Sequence, residues 1–212
     1  MTRLNPIIDK RIPINQAGFR PNRNTTEQVL ALTTFIESGF EKKEKTGVVF
    51  IDLSAAYATV WNDGLKLKLA KTIPCQKTVK LLSSMLGTRQ YHVILGGDKS
   101  KTMKIKNGVP QGSVLAPTLF NVYLSDMPET NSTKLGYADD WALAYQSKVW
   151  TELENILSQD TITLKNYFEK WYLKMNTTKS VSSVFHLDNK QAHRTLSIRV
   201  NNNNPPPPKQ KP

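Results

Sequence analysis

One cysteine, Cys75, stands in the 212-residue chain, so neither an internal disulfide nor a thiolate cluster can form. Histidine is scarce too: His92, His186 and His193 are scattered without the spacing of metal ligands. No apolar run approaches the length of a membrane span. The opening "MTRLNPIIDK" is not a signal peptide. Acids are outnumbered, with 17 Asp and Glu against 29 Lys and Arg, for a formal net charge of +12. These absences exclude a secreted disulfide scaffold and a helical membrane protein. They leave an expected intracellular protein, nuclear or cytoplasmic, with no membrane partner. The charge points to a polyanion, most simply nucleic acid.

The charge is unevenly spread. From Lys66 to Lys106 ten basic residues, Lys101, Lys104 and Lys106 among them, face one acid, Asp98. A solvated face accounts for such a run. With so little acid interleaved, a track for phosphate backbones accounts for it better.

Periodicity predicts alternating helices and strands. "NRNTTEQVLALTTFIESGF" opens on a capping box, Asn24 as N-cap with Glu27 three residues on. Val29, Leu32, Phe35 and Ile36 follow as an apolar stripe. "GVVFIDL", residues 47 to 53, is almost wholly apolar and reads as a strand buried on both faces. Helices are expected over 63–70 and 76–86. A hairpin is expected from "RQYHVILGG" with "KTMKIKNG", and a helix containing a proline over "QGSVLAPTLFNVYLSDM". The clearest helix covers 151–171, with Leu153, Ile156, Leu157, Leu164, Tyr167, Phe168 and Trp171 on one face. A turn and a strand follow in "KMNTTKSVSSVFHL". The tail "NNNNPPPPKQKP", residues 201–212, is low-complexity and expected to be disordered.

"KLGYADDWALAY", residues 134–145, sets Asp139 and Asp140 side by side between runs that alternate apolar and polar, at an expected hairpin tip. Turn chemistry explains an Asp pair there. A cation site explains it as well, and that reading needs a third carboxylate. Asp52, at the end of the apolar strand "VVFI", supplies one, although capping the next turn is the plainer role for it. If the two strands lie side by side, antiparallel, three carboxylates converge. Mg²⁺ favours a few carboxylates completed by substrate phosphates. Two such ions, roughly 3.5–4 Å apart, stabilise the attacking and leaving oxygens of a phosphoryl displacement.

In order along the chain, "QAGFRPNRNTTEQVL", "FIDLSAAYATVW", "NGVPQGSVLAPTLFNVYLSDMP", "YADD" and "WYLKMNTTKS" resemble the segment before motif A and then motifs A, B, C and D of a reverse transcriptase domain. The resemblance is to non-LTR retrotransposons, most of all the jockey-type elements of animals, and covers roughly residues 1–200. It implies an α/β (α+β) polymerase palm, an antiparallel sheet backed by helices, with partial fingers and no complete thumb. It implies RNA-directed DNA synthesis: two Mg²⁺ ions (Mn²⁺ as a substitute), a dNTP, a DNA primer and an RNA template. Asp52, Asp139 and Asp140 match the metal ligands. Tyr57 matches the aromatic that excludes a 2′-hydroxyl, and Gln111 the motif B residue near the nascent base pair. Lys179 matches the lysine proposed to protonate departing pyrophosphate. Arg20 and Arg23 fall where the family contacts template. Gly108, Pro110 and Gly112 are expected to shape a loop for close backbone approach.

The sequence also departs from the pattern. "AYATV" has Ala58 where the family has Asp, and "RPNRN" has Asn22 where Gly is usual. Fingers motifs are expected before residue 1 and a thumb after residue 200, so the chain reads as a fragment. The alternative is an inactive element remnant that at most binds nucleic acid through the 66–106 track.

Overall fold

The computed structural model describes residues 4–200, so the expected disorder of 201–212 lies outside the described residues. In chain order the elements begin with α1 (Asn5–Ile8), α2 (Thr25–Glu41), β1 (Lys45–Ile51), β2 (Leu53–Ser54), α3 (Ala56–Thr59), α4 (Asn62–Thr72) and α5 (Gln76–Gly87). Then come β3 (Gln90–Tyr91), β4 (Ile94–Leu95), β5 (Asp98–Lys99), β6 (Met103–Lys104), α6 (Ala116–Tyr123), β7 (Thr133–Tyr137), β8 (Asp140–Ser147), α7 (Trp150–Lys170), β9 (Lys174–Met175) and β10 (Val181–Phe185). They form two compact units. One joins the residues up to Ile12 to Ala55–Asp126. The other joins Pro13–Ser54 to the residues from Met127 onward.

The second unit carries an antiparallel sheet in the order β10-β1-β8-β7. β1 lies inside it and is buried along most of its length, as its apolar run predicts. In β8 the residues Trp141, Ala142, Leu143 and Ala144 are all buried, so the expected one-sided alternation gives way to burial on both faces. The reason is that each face has its own helix. Val48, Ala142 and Ala144 meet Leu32 and Phe35 of α2. α7 packs on β1 and β8, and its Leu153, Leu157, Leu164 and Phe168 are fully buried. Each such side chain contributes roughly 1.5–3 kcal/mol on leaving water. Asn24 caps α2 as predicted, its side chain accepting from the Glu27 N–H at 2.9 Å. Val29 departs from the predicted stripe: it is 64% exposed and borders the cleft described below. Asp160 of α7 is buried and accepts from the Asn131 and Ser132 N–H groups, which pins the loop leading into β7.

In the first unit α4 packs against α5 and α6. α6 begins only at Ala116, so Pro117 falls in its first turn, where a missing N–H costs nothing. The expected 89–108 hairpin is present but broken into two short ladders, β3 with β6 and β4 with β5. All four strands are exposed, and no buried face holds a longer register.

Candidate active site

The site grows from the register of the second unit's sheet. Ile51 pairs with Trp141 across β1 and β8, so the next residue on one strand, Asp52, comes opposite the previous one on the other, Asp140. Asp52 itself has left the ladder. Its N–H donates to Ser180 Oγ at 3.2 Å and its carbonyl accepts from the Asn176 N–H at 2.8 Å. β7 and β8 are joined by two residues only, Ala138 and Asp139, with Tyr137 paired to Asp140. Asp140 therefore opens β8 and Asp139 sits in the turn.

Asp52 and Asp140 border one cleft of about 360 Å³, together with Tyr137, Trp141, Lys179 and apolar residues of α2 and β1. Among the described residues no Lys or Arg forms an ion pair with Asp52, Asp139 or Asp140. Lys179 borders the same cleft without a close ion pair to them. Asp140 is solvent-exposed, yet partial desolvation, then the charges of Asp139 and Asp52, push its carboxyl above the usual carboxylate range.

Asp52 and Asp140 line one cleft, with Asp139 in the turn beside them. Among the described residues no three Asp, Glu, His or Cys side chains are gathered closely enough to hold an ion as they stand. Asp139 lies in the turn and Asp140 opens β8, so the two carboxylates do not share one strand face. The donor set nevertheless suits Mg²⁺ or Mn²⁺. It is all oxygen, it has no close ion pair among the described residues, and such ions usually take one or two carboxylates and complete their shell with phosphate and water.

Lys179 is exposed at the mouth of this cleft, on a turn whose N–H groups at Thr178 and Lys179 are drawn to the Asn176 side chain. Arg20 is turned inward: one guanidinium nitrogen donates to the Pro13 and Gln16 carbonyls, both at 3.0 Å. Arg23 pairs loosely with Glu27 at 3.7 Å. Asn22 takes φ +58, the conformation in which the family's usual Gly is free and Asn is tolerated.

In the first unit Tyr57 stacks on the buried Phe120, ring centroids 4.5 Å apart. Its carbonyl accepts from the Val109 N–H at 2.9 Å, which ties α3 to the segment before Gln111. Gly108 sits where the chains press together, since a Cβ there would lie 2.7 Å from the Ala58 carbonyl oxygen. Gly112 has positive φ but open space around it, so turn conformation alone requires it. Gln111 is exposed. The basic run is less uniform than it reads. Lys68 is buried and paired with Asp126, Lys66 pairs with Asp63, and Arg89 donates to the Gly108 carbonyl. Lys101, Lys104 and Lys106 are exposed.

Sequence reasoning overlooked Gln16. It is 1% exposed, and its side chain bonds to the backbone of Ala138, 122 residues away. The only local signal is a Gln in an otherwise turn-like stretch.

The family model described as "Reverse transcriptase (RNA-dependent DNA polymerase)" matches residues 1–200. The chain belongs to this family. It is 37% identical over 196 residues to the "Probable RNA-directed DNA polymerase from transposon BS" of Drosophila melanogaster, covering 87% of the chain and 22% of that relative. It is 34% identical over 187 residues to the "RNA-directed DNA polymerase from mobile element jockey" of the same species, covering 84% of the chain and 20% of that relative. The chain thus spans about a fifth of the length of these curated relatives. Among solved structures, apo telomerase from Candida tropicalis, truncated from its C-terminal domain, aligns with a TM-score of 0.66 at 14% identity. That alignment covers 89% of the chain and 41% of the telomerase chain. At that identity the likeness speaks for the fold, a polymerase palm type with an antiparallel sheet and helices. Among the described residues no helix is long and apolar enough to cross a membrane.

Proposed function

We propose that the chain carries the cation-binding centre of an RNA-directed DNA polymerase of a mobile element, acting on an RNA template, a DNA primer and dNTPs. The observation that carries this reading is the placement of Asp140 opposite Asp52, with Asp139 adjacent and no basic residue among the described ones paired to them. Asp52, Asp139 and Asp140 would hold two Mg²⁺ ions, with Mn²⁺ as a substitute. When bound, such ions stabilise charge on the attacking and leaving oxygens.

The remaining work belongs to side chains of this chain. The primer 3′-oxygen forms a bond to the dNTP α-phosphorus as the bond to pyrophosphate breaks. Lys179, at the cleft mouth, is suited to give a proton to the departing pyrophosphate. Tyr57, braced by Phe120, presents a fixed aromatic wall against a 2′-hydroxyl. Gln111, free of the core, is available to the nascent base pair.

Lys101, Lys104 and Lys106 would hold phosphates, with Arg23 as a lesser contact. Arg20 serves first to brace its own loop. Such binding is salt-dependent and largely blind to sequence. Replacing the three lysines by Ala should flatten the slope of log affinity against log salt by about 3, roughly one for each phosphate no longer neutralised. Fluorescence anisotropy of an RNA/DNA hybrid at several salt concentrations measures it. An unchanged slope would assign these lysines to solvent. The polymerase reading itself is tested by extension of oligo(dT) on poly(rA) with Mg²⁺ or Mn²⁺. Synthesis that survives loss of all three carboxylates contradicts it.

A further inference from the structure

We propose that Gln16 is a positioning residue that sets the conformation of the Asp139–Asp140 turn, and through it the geometry in which these carboxylates meet a divalent cation. The proposal rests on the cation-site reading above.

The turn is locally ill-suited to its sequence. In a two-residue hairpin whose first central residue has positive φ, glycine is the usual occupant of that position. Here it is Ala138, at φ +60. A non-glycine residue held there is strained and persists only where its surroundings enforce it. The surroundings are Gln16. Its Nε2 donates to the Ala138 carbonyl at 2.8 Å, and its Oε1 accepts from the Ala138 N–H, also at 2.8 Å. The first bond fixes the peptide plane leading into Asp139 and the second fixes the plane leaving Tyr137. Between them they determine both backbone angles of Ala138.

Gln16 is itself held. Oε1 accepts a further bond from the Gly18 N–H at 2.8 Å. The main chain on either side grips the strand before the turn: the Ala17 N–H donates to the Gly136 carbonyl and the Gly136 N–H to that of Asn15, each at 2.8 Å. Gly18 has no room for a side chain, since a Cβ there would come within 2.1 Å of the Ala138 nitrogen. The loop at 15–18 thus forms a mould around the one residue whose conformation aims Asp139 and Asp140.

Gln16→Met tests this, because Met is close in size and cannot make these bonds. Two readouts are taken well below the melting transition. Backbone couplings at residue 138, measured by NMR, report φ. Electron paramagnetic resonance of free Mn²⁺ in a titration reports affinity, with Asp140→Asn as the reference for loss of a ligand. Loss of the positive φ at residue 138, with Mn²⁺ binding weaker by about 10–100-fold, is the expected result, the range seen when groups supporting a metal ligand are removed. A merely structural role would lower the melting temperature and leave Mn²⁺ affinity of the folded protein unchanged. Wild-type affinity in Gln16→Met, alongside loss in Asp140→Asn, overturns the proposal and spares the cation site. Absence of Mn²⁺ binding in the unaltered protein instead defeats the cation reading on which the proposal stands. Should Gln16→Met not fold, amide exchange of Ala138 in the unaltered protein decides: protection like that of the sheet's inner strands supports the clamp, and free exchange overturns it.

Discussion

Asp140→Asn is expected to lower RNA-templated DNA synthesis by roughly 10³-fold or more while making the metal-free protein more stable at neutral pH. The first effect follows from charge: removing a ligand forfeits several kcal/mol of transition-state stabilisation, and each 1.4 kcal/mol is a factor of ten. The second follows from the raised carboxyl of Asp140, which partial desolvation and the neighbouring Asp139 and Asp52 make reluctant to ionise. The folded protein holds this proton more tightly than the unfolded chain does. Stability is therefore lost as pH rises through the folded carboxyl's own range, and the penalty is absent below the unfolded one. Asn carries no such penalty. In EDTA at pH 7 the variant should melt above the parent, and the two curves should converge as pH falls through the carboxylate range. Mg²⁺ should then raise the parent's melting temperature far more than the variant's. A variant that melts lower than the parent in EDTA at pH 7 would mean that Asp140 has a structural partner instead of an unpaired charge.

Tyr57→Val is expected to relax the choice of sugar. The ring is held flat against Phe120 and its backbone is tied to Val109, so the wall it forms has little freedom to yield. A pocket that rejects one extra group by contact gains about 1–3 kcal/mol, or roughly 10–200-fold. The ratio of dNTP to rNTP incorporation should fall within that range, with kcat for dNTP much less affected. The assay is single-nucleotide extension with matched dNTP and rNTP. An unchanged ratio would make Tyr57 a packing residue of α3.

How much of this was legible in the sequence depends on how far each cause lies from its effect along the chain. β1 was readable because burial on both faces writes a continuous apolar run. The Asn24 cap was readable because donor and acceptor are three residues apart. The place of Asp140 was readable once β1 and β8 were taken as neighbours, since antiparallel register does the rest. The buried state of Lys68 was not, because its partner Asp126 lies 58 residues on. Val29 has helical spacing, yet it is left at the rim of a cleft that no local pattern encodes. The conformation of Ala138 runs against local preference and is imposed by Gln16 from 122 residues away, so nothing near "YADD" reveals it.

Paramagnetic broadening of amide signals by Mn²⁺ tests the central claim most directly, because it reports where the ion sits and needs no turnover. In the ¹⁵N-labelled chain, substoichiometric Mn²⁺ should first broaden Asp52, Asp139, Asp140 and their neighbours Tyr137 and Trp141. Excess Mg²⁺ should reverse the effect, and Asp140→Asn should abolish it. Broadening that begins at other acids and leaves residues 137–141 sharp would contradict a cation centre at this hairpin.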